Sequence, residues 1–285
     1  MMKTIHKIMT VTVLFLAILV AAALQLFRED KGIVSPDIES VSELSGTRIG
    51  GVASRMPDNS AKILFESLLG VKLSGYQSYQ DVFETLAALR TNEIKAAWFP
   101  DVTADYLISV EEGLKKIDGT QSTEPRLEFA LALKSDAVSL RDSINTALAT
   151  LKENGTLAQL ESAYITDASV VDKYTEDHMN LESNYTEGTI YIGVTGAVWP
   201  IDMVDLELKP YGYSVALMNE IGKLIHKKVV FVTLQNDTAF SNLMSGRVDA
   251  LFCYGSSKTT LTDAKNYITT SGYYTMNQYS YLVLE

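Results

Sequence analysis

The sequence contains few of the residues that build covalent or metal-bound frameworks. Its 285 residues include one cysteine, Cys253, and three histidines, His6, His178 and His226. A single cysteine cannot form a disulfide within one chain, and it cannot supply a cysteine-based zinc site. None of the histidines has a neighbour at the spacing of a metal-binding motif. We therefore predict neither a disulfide framework, nor a metal site, nor a cofactor.

Basic residues are also scarce. Lysine and arginine total 24 against 35 aspartates and glutamates, which gives a net charge of −11. A surface of this sign repels nucleic acid and anionic lipid headgroups. The sequence also shows no basic stripe interleaved with aromatic residues. Nucleic acid is therefore excluded as a partner.

The sequence lacks the motifs of the common enzyme classes. It contains no Gly-x-Ser-x-Gly elbow, no phosphate-binding loop and no histidine beside a plausible nucleophile. The adjacent carboxylates Glu111 and Glu112 are interpreted as charges at a helix end rather than as a catalytic pair. We predict that the chain is not an enzyme.

Only one run of apolar residues is long enough to cross a membrane. Residues 8–27 contain no charged side chain and have the length of a transmembrane helix. Lys3 and Lys7 precede this run, so the positive-inside rule places the N-terminus in the cytoplasm and the rest of the chain outside. We predict a single-pass membrane protein with an extracytoplasmic domain. A cleaved signal peptide is the alternative, because residues 21–23 are alanines that suit a cleavage site.

The remainder of the chain alternates between short apolar strands and helices of about ten residues. This alternation predicts an α/β fold with largely parallel sheets. Two half-modules share one layout of strand, helix, strand, helix and strand, which indicates two lobes built to the same plan. The predicted strands are residues 48–53, 71–76, 94–99, 127–133, 190–194, 229–232 and 250–253, and the predicted helices are residues 57–69, a segment after Asp81, 101–110, 139–152, 156–164, 213–225 and 238–244.

The second half of the chain carries a familiar series of motifs. Residues 193–202 read Gly-Val-Thr-Gly-Ala-Val-Trp-Pro-Ile-Asp, Gly212-Tyr213 opens the next helix, and residues 243–250 read Leu-Met-Ser-Gly-Arg-Val-Asp-Ala. A Ser/Thr-rich segment at residues 255–260 and Gly272-Tyr-Tyr follow. In this order the motifs resemble the first lobe of the extracytoplasmic solute-binding proteins of the amino-acid ABC-transporter type, the Venus-flytrap class.

Motifs of that family's second lobe occur earlier in the chain. Residues 44–52 read Leu-Ser-Gly-Thr-Arg-Ile-Gly-Gly-Val and resemble its opening strand, and residues 76–81 resemble its Tyr-x-Ser segment. Residues 134–136 and 151–156 resemble the helices that close the family's chain. The resemblance thus implies a two-lobed periplasmic-binding-protein-like fold that is circularly permuted. Two incomplete tandem modules are the alternative, but each would leave an unpaired sheet edge.

The resemblance implies a division of the chain into five parts. The anchor or signal segment is followed by a polar tether, the second lobe, and a first lobe interrupted by a polar connector. The anchor or signal segment comprises residues 1–31, the tether residues 32–43, and the second lobe residues 44–125. The first lobe comprises residues 126–166 and 188–285, and the connector between these two ranges comprises residues 167–187.

In such a fold the ligand lies between the lobes, beside loops at the carboxyl ends of strands. Trp98 and Trp199, the only tryptophans, offer flat walls for a ligand, and Asp101 and Asp202 offer partners for an ammonium group. Core packing and solvated surface positions are the respective alternatives for these residue types. The remaining candidates are Ser256, Ser257 and Thr259 as donors to a carboxylate, Arg55 beside a helix N-terminus as an anion partner, and Tyr254 in the same loop as the serines.

One departure from the family bears on the ligand. Amino-acid binders usually place an arginine shortly after the Ser/Thr loop, where this chain has Thr262-Asp-Ala-Lys265. The family's second-lobe aspartate aligns near Pro100 or Asp101. The sequence therefore predicts a small polar, amino-acid-like solute without specifying it.

The predicted function is extracytoplasmic binding of this solute for delivery to an ABC permease. The alternative is a ligand-sensing ectodomain of a transmembrane kinase or diguanylate cyclase. Either function would use the same two lobes, so the sequence leaves both open.

Overall fold

The computed structural model describes residues 38–52, 56–117, 127–167, 185–252, 266–276 and 279–285. The strands are β1 Arg48–Val52, β2 Gly75–Tyr79, β3 Ala96–Pro100, β4 Leu114–Ile117, β5 Leu127–Phe129, β6 Ala132–Lys134, β7 Thr189–Val194, β8 Met203–Val204, β9 Pro210–Tyr211, β10 Lys228–Thr233, β11 Ala250–Leu251, β12 Tyr267–Thr269, β13 Tyr274–Met276 and β14 Tyr279–Leu284. The α-helices are α1 Asp58–Leu69, α2 Val82–Arg90, α3 Asp101–Val110, α4 Val138–Glu153, α5 Thr156–Glu161, α6 Tyr213–Leu224 and α7 Ala239–Ser245. A 3₁₀ helix spans Val41–Leu44, and a π-helical segment, Ser162–Thr166, continues α5.

Two mixed five-stranded sheets form the two lobes. The second lobe contains the sheet β2-β1-β3-β14-β4, and the first lobe contains the sheet β10-β7-β11-β6-β12. In each sheet the first three strands are parallel, and the fourth runs antiparallel to its neighbours. The predicted α/β fold with mixed, mostly parallel sheets is therefore confirmed.

Each lobe receives one strand from the other half of the chain. β6 follows the second lobe in sequence but lies in the sheet of the first lobe, and β14 does the reverse. The segments leading to them pair with each other as the antiparallel ribbon β5–β13, with Tyr274 opposite Phe129. Both crossings between the lobes therefore run side by side, which is the arrangement of a two-stranded hinge.

Three sequence predictions differ from the observed strands. The strand predicted at residues 71–76 is observed at Gly75–Tyr79, because the Leu73 amide donates to the Glu66 carboxylate of α1 and pairing with β1 starts only at Gly75. Residues 279–284 were assigned to the first lobe, yet they pair with β3 and β4 of the second lobe. Consecutive side chains of this strand, at Tyr281, Leu282 and Val283, are buried. Because they point to opposite faces, the strand needs protein neighbours on both faces, and an interior position in the sheet supplies them. Residues 127–133 form two strands rather than one, because the chain crosses between the sheets after Phe129.

The helices cover the sheet of the second lobe on opposite faces. Ala61, Phe65 and Leu69 are spaced four residues apart and lie on one side of α1. They pack in a core that also contains Ile49 and Tyr76. It ends at Gly70, which takes the left-handed conformation that L-residues avoid. α2 and α3 pack into a different core that continues into the first lobe.

The order of the elements agrees closely with the predicted alternation. α2 begins where Asp81 was expected to start a helix, and the Asp81 carboxylate caps it by accepting from the Glu84 amide at 2.9 Å. The predicted break at Asn154-Gly155 separates α4 from α5, with Gly155 at a φ of +82°. Hydrophobic period and capping chemistry therefore located these elements.

In the described ranges, no helix has both the length and the apolar character needed to span a bilayer. The predicted membrane segment at residues 8–27 is not among the residues that the structure describes.

Candidate functional site

The carboxyl ends of the parallel strands point to the candidate site. Two segments carry described candidates: residues 98–103, which are the end of β3 and the first turn of α3, and residues 198–202, which follow β7. The candidates Arg55, Tyr254, Ser256, Ser257 and Thr259 fall outside the described residues. The geometry of the site therefore rests on Trp98, Asp101, Trp199 and Asp202.

Asp202 is fully buried and holds the loop after β7 together. Its Oδ1 accepts from the Val198 amide at 2.9 Å, and its Oδ2 accepts from the Thr195 amide at 3.4 Å and the Thr195 hydroxyl at 3.2 Å. The Asp202 amide donates back to the Val198 carbonyl at 2.8 Å. The carboxylate that was predicted as a partner for an ammonium group therefore binds donors of its own loop.

Burial and hydrogen bonding act on Asp202 in opposite directions. Desolvation raises the pKa of this carboxyl, whereas hydrogen bonds from Val198, Thr195 and Gly196 lower it, and the net shift is upward. A buried carboxylate without these donors would be far less stable. The loop therefore has to supply all of its donors for the fold to keep an acidic group at this position.

The same loop is attached to the first helix of its own lobe. The carbonyl oxygens of Pro200 and Ile201 accept from the amides of Tyr213 and Ser214 at 3.1 and 2.8 Å. These amides belong to the first turn of α6, which has no intrahelical acceptor for them. Gly212 precedes them at a φ of +104°, and its missing side chain leaves room for both carbonyls. The predicted Gly212-Tyr213 helix start is thus confirmed, and its role is to dock the loop.

Trp199 projects from this loop onto the second lobe. Its ring meets Phe83 of α2 edge to face at a centroid distance of 4.6 Å and Tyr106 of α3 at 6.2 Å. The side chain is only 6% exposed, and its Nε1 donates to the Gly196 carbonyl at 3.1 Å. Trp199 lies between the lobes as expected, but its faces and its N–H are already in contact with protein.

Trp98 and Asp101 form the other side of the site, at the end of β3. The half-buried Trp98 ring stacks on Tyr279 at 4.0 Å, with its edge toward Phe65. Asp101 begins α3, and its Oδ1 accepts from the Ser280 hydroxyl at 2.5 Å and from Lys116 Nζ at 2.9 Å. The structure therefore gives each residue its own partners: Trp98 packs with Tyr279 on one face of the sheet, and Asp101 bonds to Ser280 and Lys116 on the other.

The charge state of Asp101 is set by those partners. Partial burial acts to raise the pKa of Asp101, but the hydrogen bonds from Ser280 and Lys116 outweigh it and lower the pKa. Lys116 also pairs with Asp105 at 2.6 Å, and the two carboxylates raise its own pKa despite desolvation. Asp101 is thus a half-exposed carboxylate at neutral pH.

Sequence reasoning missed Tyr279, Ser280 and Lys116. Tyr279 and Ser280 lie on β14. Ser280 is 179 positions after Asp101 in the sequence. No local pattern signals such a pairing, because it depends on β14 inserting between β3 and β4. Lys116 lies on β4, where it had no distinguishing motif.

One buried hydroxyl near this site has no hydrogen-bond partner. Thr103 follows Asp101 in the first turn of α3, is fully buried, and leaves its Oγ1 unpaired in the described part of the chain. An unsatisfied buried hydroxyl lowers stability by about 1 to 3 kcal/mol. We expect Thr103→Val, which keeps the shape, to raise the free energy of unfolding in urea by about 1 kcal/mol.

A second fully buried threonine provides the matched control. Thr85 of α2 donates through its Oγ1 to the Asp81 carbonyl at 2.8 Å. We expect Thr85→Val to lower the free energy of unfolding by about 1 kcal/mol, because it removes a bond that is made. Equal effects of the two substitutions would contradict the assignment of Thr103 as unsatisfied.

The described candidates are a half-buried aromatic ring, Trp98, a half-exposed carboxylate, Asp101, and the loop of residues 198–202 on the first lobe. Among the described residues, no group of three histidines, cysteines or carboxylates is placed to bind a metal ion.

Comparisons with known proteins identify the class. Residues 190–283 match the family model of the bacterial extracellular solute-binding proteins, family 3. The resemblance predicted from the sequence is confirmed for these residues, which make up about a third of the chain. No match was found among curated protein sequences.

Several solved structures are similar in fold to the chain at low identity. The ligand-binding component of an ABC-type import system from Staphylococcus aureus, solved with zinc, shares 10% identity at a TM-score of 0.44, covering 84% of this chain and 66% of that one. A Brucella ovis periplasmic binding protein with glutathione shares 11% at 0.44, covering 86% and 65%. An arginine-bound protein from T. maritima shares 12% at 0.43, covering 86% and 92%. The chain thus spans just under two thirds of the length of the first two.

Proposed function

We propose that this chain binds a small polar, amino-acid-like solute between its two lobes, outside the cytoplasm, for delivery to an ABC permease. The family match of residues 190–283 is the observation that carries the proposal. Because that match is to solute-binding proteins, delivery takes precedence over a role as a signalling ectodomain.

The arrangement of the hinge supports binding by closure of the lobes. β5 and β13 cross between the lobes as one antiparallel ribbon, so a small change in a few backbone dihedral angles there rotates one lobe against the other. The loop after β7 meets the first turn of α2, shortly after the end of β2, at the contact of Trp199 with Phe83. A solute held at the strand ends would therefore be enclosed by groups from both sides.

Trp98 and Asp101 are the described residues that we assign to the solute. The Trp98 ring supplies an apolar wall, and Asp101 supplies a carboxylate that already accepts from one ammonium group, that of Lys116. A solute ammonium group could take the second oxygen of Asp101 or displace Lys116. Arg55, Tyr254, Ser256, Ser257 and Thr259 remain candidate contacts for the opposite end of the solute.

We also propose that the chain is a circular permutation of the family. The two sheets have the same strand order. If the strands that each lobe supplies to its own sheet are numbered along the chain, both sheets run second, first, third, then the strand from the other half of the chain, then fourth. The family match covers the C-terminal part of the chain, which agrees with a first lobe that comes last. The proposed second lobe, expected at residues 44–125, gains two parts: β14, and residues 38–43, whose Ile38 and Val41 pack in its core.

The membrane assignment is part of the proposal. Residues 8–27 would anchor the protein, and the tether predicted at residues 32–43 would end before Ile38, because Ile38 and Val41 are buried in the core of the second lobe. An acidic, extracytoplasmic domain on a single anchor would keep the solute close to a permease in the same membrane.

A thermal-shift screen of the purified full chain tests the function. We expect at least one amino acid, opine, polyamine or small sugar to stabilise the protein, by roughly 2.7 kcal/mol when its concentration is 100 times its Kd. The measurement is the unfolding temperature against solute concentration. If no solute raises this temperature, the binding function is contradicted.

Site variants then test which residues hold the solute. For a solute found in the screen, Asp101→Asn and Trp98→Ala are each expected to weaken binding about tenfold. Asp249→Asn is the control, because Asp249 accepts from the Tyr191 amide at 2.8 Å just before β11, at the amino ends of the parallel strands of the first lobe. Binding that is unchanged in both site variants would reject this assignment while leaving the solute-binding function in place.

A further inference from the structure

The lobes are in direct contact through Trp199. β7 and the loop that carries Trp199 belong to the first lobe, whereas Phe83 and Tyr106 belong to helices of the second lobe. The edge-to-face pair of Trp199 with Phe83, at 4.6 Å and 80°, lies within the range of favourable aromatic contacts. This contact therefore joins two bodies that are otherwise connected through the hinge ribbon and a shared apolar core.

The ring is fixed from its own side before it meets the other lobe. Its N–H is bonded to Gly196, and its loop is held by the buried Asp202 and by the first turn of α6. The first lobe therefore presents Trp199 in one orientation. An anchor of this kind loses little side-chain freedom when it docks, so most of the contact energy remains available for holding the lobes together.

We infer that Trp199 is an interlobe anchor that holds the two lobes closed in the absence of solute. The residue would then act in the conformational equilibrium of the protein, rather than as a wall on which solute stacks. This inference goes beyond the proposed solute binding, because the closed form would be populated by a protein–protein contact within the chain. Phe83 is 41% exposed, so it forms the accessible half of the anchor and can be changed without emptying a core.

Distance measurement between the lobes of the full chain tests the anchor. Spin labels are placed at Lys72→Cys on the second lobe and Leu206→Cys on the first, where the side chains are 88% and 87% exposed, with Cys253→Ser to remove the native thiol. The protein is unfolded in urea, dialysed and refolded to remove any co-purified solute. Without added solute, we expect one population of label-to-label distances, the shorter one that corresponds to closed lobes.

The decisive variant is Phe83→Ala, and Phe240→Ala is its matched control. Phe240 meets Tyr267 edge to face at 4.9 Å and 79°, nearly the geometry of the Phe83–Trp199 pair, but both residues lie in the first lobe. We expect Phe83→Ala to raise the ratio of long to short interlobe distances about tenfold, and Phe240→Ala to leave it unchanged.

Two outcomes would overturn the inference. One is a long distance in the solute-free protein, and the other is the same distribution in Phe83→Ala as in Phe240→Ala. Tryptophan emission gives an independent reading: in a Trp98→Phe background, acrylamide should quench Trp199 weakly, and more strongly once Phe83 is alanine. Neither reading requires a solute to bind, so failure of the anchor is distinct from failure of the proposed function.

Discussion

Replacing Gly212 by alanine is expected to lower the free energy of unfolding by about 4 kcal/mol. Two effects add at this position. The backbone has a φ of 104° and a ψ of −174°, a region that is open almost only to glycine. A Cβ would also lie 2.6 Å from the Pro200 carbonyl oxygen and 3.1 Å from that of Ile201. Both oxygens are backbone atoms that accept from the first turn of α6, so neither can move without losing a hydrogen bond.

Gly188→Ala separates the backbone effect from the steric one. Gly188 also has a positive φ, +87°, but a Cβ there would meet no atom within 4 Å. We expect this substitution to lower the free energy of unfolding by about 1 kcal/mol. Urea unfolding of the two variants provides the comparison. Equal decreases in the free energy of unfolding would show that the close approach of the loop to α6 adds nothing to the cost of a side chain at Gly212.

Replacing Asp202 by alanine is expected to lower the free energy of unfolding by about 3 kcal/mol. The change leaves the Val198 amide, the Thr195 amide and the Thr195 hydroxyl without their shared acceptor in a buried loop. Asp205→Ala is the control, because Asp205 accepts from the amides of Glu207 and Lys209 at 2.9 and 2.8 Å but is only half-buried. We expect a loss of about 1 kcal/mol there, since water can replace the carboxylate. A loss at Asp202 no larger than at Asp205 would contradict its bracing role.

The pH dependence of stability gives a second reading of Asp202. Burial raises the pKa of Asp202 in the folded protein above the ordinary 3.8, so the folded state takes up a proton at a higher pH than the unfolded state does. The free energy of unfolding should therefore rise, relative to that of Asp202→Asn, as the pH falls through the folded-state pKa. The rise should end below about 3.8. A relative decrease over this window would show that the hydrogen bonds outweigh burial.

These predictions give the loop after β7 a structural function that its sequence does not state. Trp199 and Asp202 were predicted to face a solute, and the structure shows each of them bonded within its loop or packed on the other lobe. The loop is thus a rigid element on the first lobe. In the function that we propose, the solute contacts Trp98 and Asp101 of the second lobe, whose half-exposed positions leave them accessible.

Local chemistry in the sequence was sufficient for the elements and for the class. Alternation of short apolar runs with periodic helices predicted two α/β lobes, Asp81 marked a helix start, and Gly155 marked a break. The motifs of residues 190–283 identified the family that the comparison then matched. Each of these features depends on residues close together in the chain, where spacing alone reports the structure.

Contacts between distant segments required the folded structure. The apolar pattern of residues 279–284 shows that they form a buried strand, but the pattern is the same in either sheet. Its insertion between β3 and β4 brought Tyr279 to Trp98 and Ser280 to Asp101. The sequence also could not predict which surface the Trp199 ring contacts. Hydrophobicity indicates that a side chain is buried, but it does not indicate which surface covers it. Partners of that kind are chosen by packing across the whole domain, where complementary shape decides between equally apolar surfaces.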